Sequence, residues 1–330
     1  MRDAAAIETT IFNIRTDDDF RELALEVFRY QYGHNPVYRQ FTDELGVDPA
    51  SVQKVRDIPF LPIEFFKTHR VVCTNTPPEV VFESSGTTGP ATSRHYVSKL
   101  SLYEKSLLAG FRLFFGDPEE YVILALLPSY LERTGSSLVH MANLLIRLSR
   151  HTESGFYLHD YQGLSGMLFS VKKQKKKVIL LGVTYALLDL AEQFPMDFPE
   201  LVVMETGGMK GKRREMVREE LHAVLQKAFG VESIFSEYGM TELLSQAYSK
   251  GKGVFRTPPW MKVLIRDVND PLSYVAQGKS GGINVIDLAN LYSCSFVATQ
   301  DLGKGHAASA FEVLGRFDNS DVRGCNLLVG

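Results

Sequence analysis

Cysteine is scarce in this chain: 330 residues carry only Cys73, Cys294 and Cys325. Their odd number and wide separation argue against a disulfide framework and suit a reducing compartment, and their spacing forms no zinc signature. Neither sign of charge dominates. A formal net charge of −3 provides no global basic field, so nucleic acid is a poor candidate for the main partner and any positive charge must act locally. Long apolar runs are missing too. No stretch approaches the length needed to span a bilayer, and residues 1–10 lack the basic segment and apolar run of a signal peptide, which predicts a cytoplasmic protein. The eight histidines show no H-x-x-x-H or comparable ligand spacing.

What is present is a core. A hydrophobic content of 45% over this length suffices for one large α/β unit or two ordinary domains. Phe20, Leu23, Ala24, Val27 and Phe28 fall at helical spacing behind Thr16 and three aspartates, which predicts an opening helix. "IPFLPIEFFK" (58–67), with two prolines, is expected to cross the core as an extended segment. Residues 99–115 read as a helix, "YVILALLP" as a buried parallel strand and 136–150 as another helix. Then "GFYL", "KVILLGVTYALLDLAEQF" and "ELVVMETGG" continue the alternation, with "KKQKKK" (172–177) as a solvated loop. A helix is expected over 212–229 with Val217, Leu221, Val224, Leu225 and Ala228 on one face, followed by the strand "SIFSEYGMTE". This alternation predicts an α/β fold with a largely parallel sheet covered on both faces and sites at the C-terminal ends of its strands. Beyond Gly251 short runs separated by glycine-bearing turns read as β-rich. The expected division is an α/β core with an N-terminal helical segment over 1–250 and a β-rich subdomain over 251–330.

The segment Ser84, Ser85, Gly86, Thr87, Thr88, Gly89 follows the β-prone run Val80-Val81-Phe82 and offers almost nothing to a core. Backbone N–H groups and hydroxyls in such a loop can converge on one point, which is how phosphates are cradled. It is neither a P-loop, since no Lys follows the second Gly, nor a G-x-G-x-x-G dinucleotide fingerprint. Alone it could equally be a flexible polar turn. Further along stand "METGGMKG" (205–211), "EYGMTE" (237–242), "TQDLG" with Asp301, and "GRFDNSDVRG" with Arg316.

In this combination and order the chain resembles the adenylate-forming superfamily of acyl- and aryl-CoA ligases, adenylation domains and luciferases. Their phosphate loop reads SSGTTG and is followed by a Y-G-x-T-E segment, a T-G-D-like segment and a G-R-x-D hinge. Within it, the spacing, "FLPIEFFK", "LLPSYLERTGSSL" and the closing "RGCNL" are similar to the acyl-protein synthetase family, which supplies activated fatty acid for bacterial bioluminescence. The resemblance covers nearly the whole chain. It implies the large N-terminal domain of the adenylate-forming fold without the usual small mobile C-terminal domain, because only fourteen residues follow Arg316. It also implies that the lysine of that domain is dispensable here or supplied by another group.

The implied chemistry is attack of a carboxylate on the α-phosphorus of ATP, giving an acyl-adenylate and pyrophosphate, with catalysis by positioning and charge neutralisation. Ser84 to Gly89 would hold phosphates. Glu242 would place Mg²⁺, unless it only favours a helix dipole. Gly207, Gly208, Tyr238, Gly239, Met240 and Thr241 would surround adenine, with Tyr238 stacking on the ring. Asp301 would bind the ribose hydroxyls and Arg316 the nucleotide; Gln300 stands where the family has Gly. In place of the family's Lys after the loop, Arg94 is either a forked phosphate donor or a plain surface residue. His95 lies near enough in sequence to touch phosphate or acyl group. Cys325, beside Arg323, would accept the acyl group as a thioester or be structural, whereas Cys73 and Cys294 read as structural. The partners implied are a carboxylic acid, which the sequence does not specify, and a protein that donates or accepts the acyl group. Two alternatives stay open: a CoA ligase of the phenylacetate type, and a catalytically inert nucleotide-binding subunit.

Overall fold

The computed structural model describes residues 2–73, 77–84, 92–128, 135–207, 216–306 and 310–317. Helix α1 (Ala4–Ile11) leads into α2 (Asp17–His34), which opens on a capping box. The Thr16 hydroxyl accepts from Asp19 N at 3.1 Å, and the Asp19 carboxylate accepts from Thr16 N at 2.8 Å. Asn35 then caps α3 (Pro36–Glu44).

The 58–67 segment is extended only briefly. Strand β1 (Leu61–Pro62) pairs in parallel with Val297 and Ala298, and one helical turn, α4 (Phe65–Thr68), follows and buries Phe66. Pro62, with no N–H to donate, sits where a strand pairs on one side only. Next come β2 (Val80–Glu83), β3 (Arg94–Val97), α5 (Leu100–Phe115), β4 (Tyr121–Leu126), α6 (Ser137–Leu148) and β5 (Gly155–Phe156). Helix α7 (Tyr161–Lys173) has no counterpart in the sequence reading. Its buried face, Leu164, Leu168 and Val171, has helical spacing, but Gly163, Ser165 and Gly166 weaken the helical signal between them. Lys172 and Lys173 of the lysine cluster therefore end a helix, and Lys177 opens β6 (Lys177–Val183).

After β6 come α8 (Thr184–Gln193), β7 (Val202–Thr206), α9 (Arg218–Phe229), β8 (Phe235–Tyr238), β9 (Ala247–Ser249), β10 (Val254–Arg256), β11 (Met261–Arg266), β12 (Ser280–Asp287), β13 (Phe296–Gly305) and β14 (Ala310–Arg316). Helix α9 begins later than periodicity suggests and turns a different face inward. Leu221, His222, Leu225 and Phe229 are buried, while Val217 and Val224 are exposed.

Among the described residues β1 and β4–β14 build one twelve-stranded mixed sheet. Its parallel half runs β5-β4-β6-β7-β8, the α/β alternation read from the sequence, and its antiparallel half continues as β9-β10-β14-β13-β12-β11. The sheet is unbroken at residue 250, since β9 pairs both with β8 and with β10. Successive side chains on a strand face opposite ways. Accordingly Glu205 meets His222 and Arg218 of α9, while Thr206 and its row partner Glu237 face the side of Tyr103 on α5. Helices thus cover both faces of the parallel half. No helix among the described residues is long and apolar enough to cross a membrane.

Candidate functional site

The glycine-rich segment joins the arms of a hairpin. β2 and β3 pair antiparallel from Val80↔Val97 to Glu83↔Arg94, and two further bonds close the arms: Ser84 N to Ser93 O at 3.1 Å and Ser93 N to Ser84 Oγ at 3.0 Å. Of the six candidate phosphate-binding residues, Ser84 is therefore at the foot of the hairpin; Ser85, Gly86, Thr87, Thr88 and Gly89 lie outside the described residues, as do Gly208 and Cys325. Arg94 sits on the exposed edge with its Nε 3.3 Å from Glu83 Oε1.

The hairpin foot meets the end of β8. Glu242 is buried close to Ser93. Burial raises its pKa, opposed by Ser93, its own backbone N–H and Arg316, while Asp301 pushes it further up. A hard cation shared with phosphates needs one or two protein carboxylates, and the buried Glu242 carboxylate would suit that role for Mg²⁺. Ser93 was not singled out in the sequence, although it stands only four residues past Gly89.

On the antiparallel side Asp301 and Arg316 are cross-strand partners. Arg316 Nε lies 3.4 Å from Asp301 Oδ1, and the Tyr238 hydroxyl donates to Asp301 Oδ2 at 2.8 Å. The buried Tyr238 ring packs edge-on against Phe255 and Phe311, with centroids 5.9 and 5.5 Å away. Burial beside the Asp301 carboxylate pushes its phenol far above the usual range. Gln300, the departure from the family pattern, donates to Glu64, so it ties β13 to the 58–67 segment. Beneath it the Arg266 guanidinium donates to Ile283 O, Asn284 Oδ1 and Thr299 O at 2.7, 2.8 and 2.6 Å. Only glycine fits at 282, where a Cβ would stand 2.5 Å from Arg266 Cζ.

Gly207 and Gly239 end the adjacent parallel strands β7 and β8 and are exposed together, with Met240 and Thr241 half-buried behind them. Gly207 has a φ of 71°, and its carbonyl accepts from the Thr184 hydroxyl. At Gly239 a Cβ would stand 2.3 Å from Glu237 Oε1. Glu237 itself is buried, accepts from Thr206 Oγ1 at 2.5 Å, and has its pKa pushed up to about 7 by burial, with the Glu205 charge adding to the shift.

His95 does not reach toward a substrate. It is buried, with Nδ1 2.8 Å from Thr241 O and Nε2 3.0 Å from Asn290 Oδ1, and burial takes its pKa down to about 4 against the pull of those two acceptors. Cys73 and Cys294 are buried and face backbone carbonyls; burial pushes the Cys294 thiol up to about 12 and Cys73 well up. Both are structural, as their sequence context suggests.

Residues 12–112 match the family model described as acyl-protein synthetase, LuxE, a stretch that includes the hairpin. Over 325 residues the chain is 23% identical to the long-chain-fatty-acid–luciferin-component ligase of Vibrio harveyi, spanning 91% of this chain and 84% of that protein. The acyl-protein synthetase resemblance is borne out. This chain is an enzyme similar to these ligases. Its fold is that of the solved ligases. An open 2-hydroxyisobutyryl-CoA ligase, in complex with 2-HIB-AMP and CoA, is 15% identical with a TM-score of 0.66 over 93% of this chain and 72% of that one. ATP-bound MatB from Rhodopseudomonas palustris is 16% identical with a TM-score of 0.54, over 73% of this chain and 49% of MatB.

Proposed function

We propose that the chain activates a carboxylic acid, of the fatty-acid class, with ATP and passes the acyl group to a protein cysteine. The observation that carries this reading is the Glu242 carboxylate buried close to Ser93 at the foot of the glycine-rich hairpin. A buried carboxylate at the foot of this hairpin suits a nucleotide whose phosphates arrive with a divalent cation. Glu242 would hold Mg²⁺, which neutralises phosphate charge when bound.

In the first step an oxygen of the substrate carboxylate attacks the α-phosphorus, the bond to the bridging oxygen breaks, and pyrophosphate leaves. Ser84 to Gly89 hold the phosphates, and Arg94 at the hairpin edge adds a forked cation. Gly207, Gly208 and the Tyr238–Thr241 turn frame the adenine. Asp301, already held by Tyr238 and Arg316, takes the ribose hydroxyls. In the second step the Cys325 thiolate attacks the acyl carbon, the bond to the phosphate oxygen of AMP breaks, and the thiol proton passes to solvent. Burial of Cys73 and Cys294 favours Cys325 as the accepting thiol.

ATP–pyrophosphate exchange with short, long and aromatic acids, followed by intact mass with the best acid, tests the proposal. Exchange plus an acyl adduct on the protein is expected. Exchange with thioester found only on CoA would make the chain a CoA ligase, and tight ATP binding without exchange for any acid would make it an inert subunit.

A further inference from the structure

The turn that carries Glu242 is held from below by two side chains of other elements. His95, on β3, places Nδ1 2.8 Å from the Thr241 carbonyl, and Asn290, in the connection between β12 and β13, donates its amide N–H groups to the Glu242 carbonyl at 2.8 Å and the Cys294 carbonyl at 2.9 Å. His95 Nε2 lies 3.0 Å from Asn290 Oδ1, and the one N–H of a neutral imidazole serves either this oxygen or the Thr241 carbonyl. Just beyond, Asp287 accepts from Leu244 N at 2.7 Å and from Ser245 N at 2.9 Å. His95, Asn290 and Asp287 are each 1% exposed or less, so this is a dry network in which every bond is expensive to lose.

We propose that His95 and Asn290 are positioning residues that set where the Glu242 carboxylate stands relative to the phosphate-binding hairpin, and so set the affinity for the metal that accompanies the nucleotide. Consecutive carbonyls, 241 and 242, are clamped by different elements, so the turn cannot rotate about its own axis without breaking both contacts. One clamp, His95 on β3, is two residues past Ser93, which lies close to Glu242 and whose backbone closes the hairpin on Ser84. The loop foot and the clamp thereby share one stretch of chain. Neither His95 nor Asn290 touches substrate. Apolar packing could have filled the same volume, but it would have left the direction of two carbonyls, and of the side chain between them and the hairpin, unspecified.

The inference rests on Glu242 placing the metal, and the test separates failure of that reading from failure of the clamp. Mn²⁺ affinity is measured by electron paramagnetic resonance of free Mn²⁺ on full-length protein saturated with α,β-methylene-ATP, alongside metal-free binding of the analogue and the melting temperature. His95→Leu is expected to weaken Mn²⁺ binding about tenfold with metal-free nucleotide affinity unchanged, as for loss of a partner that orients a ligand. His95→Asn, whose amide nitrogen falls near the lost Nδ1, is expected to restore most of it, and His95→Gln, whose nitrogen falls near Nε2, is not. A structural role alone would lower the melting temperature in all three and leave Mn²⁺ affinity alone, which overturns the inference. Should His95→Leu fail to fold, equal Mn²⁺ affinity in the Asn and Gln variants overturns it equally. Wild-type protein that binds the analogue with no added Mn²⁺ site overturns the reading of Glu242 and the inference with it.

Discussion

A carboxylate as deeply placed as Glu242 costs stability unless something opposes its charge, and Ser93, one backbone N–H and Arg316 together leave its pKa raised. Glu242→Gln is therefore expected to leave the melting temperature unchanged or higher while lowering ATP–pyrophosphate exchange by about 10²-fold or more, the scale of losing a charge-stabilising group at a reacting centre. Exchange at the wild-type rate would remove Glu242 from the site. Glu237 makes a different prediction. Its pKa is raised from 4.5 to about 7, so the folded protein holds a proton that the unfolded chain releases. That preference is fully present below pH 4.5 and is lost as pH rises to about 7, because over that window the folded state binds more protons. Glu237→Gln should match wild type in urea unfolding at pH 4.5 and exceed it by up to about 3 kcal/mol at pH 8. A constant difference at both pH values would mean that the two variants differ for reasons other than this proton.

Among the elements, the β2–β3 hairpin separates a structural cation from a functional one. The Glu83–Arg94 pair is exposed on both sides, and such pairs are worth less than about 1 kcal/mol. Arg94→Ala should therefore hardly change the melting temperature, and a fall of tenfold or more in exchange, the outcome expected here, would belong to phosphate binding. The cap of α2 predicts the converse. Thr16→Ala removes the acceptor for Asp19 N and should cost about 1 kcal/mol in urea unfolding with exchange unaltered. This helix was legible in the sequence because its cap and apolar face are local signals. Helix α7 was not, because glycines interrupt its pattern, and α9 was misfaced because Val217 and Val224 have the right spacing but are left outside by the position of β14 and β7 around Arg218, which bonds Val313 O and approaches Glu205. The site divides in the same way. Ser84, Glu242, Asp301 and Arg316 are candidates drawn from motifs along the chain, but Ser93, Asn290 and Arg266 interact with residues far off in sequence, which no spacing rule reports.

At the scale of the molecule, the twelve-stranded sheet puts the candidate nucleotide groups at one meeting place, where the C-terminal ends of β7 and β8 lie beside the Asp301–Arg316 rung of β13 and β14. Both halves of the sheet are needed, because Tyr238 from the parallel half bonds Asp301 from the antiparallel half. The proposed reaction asks two chemical steps of this one place. On the proposed reaction, adenylation would use groups of the sheet and hairpin, whereas transfer would need a thiolate, and burial pushes the thiol pKa values of Cys73 and Cys294 up. The steps should therefore separate genetically. Cys325→Ser is expected to keep ATP–pyrophosphate exchange within about twofold of wild type, since exchange reports only the first step, and to lose the acyl adduct seen by intact mass. An adduct that survives in Cys325→Ser and is released by hydroxylamine would place the thioester on another cysteine, and burial of Cys73 and Cys294 would then require the core around one of them to open during turnover.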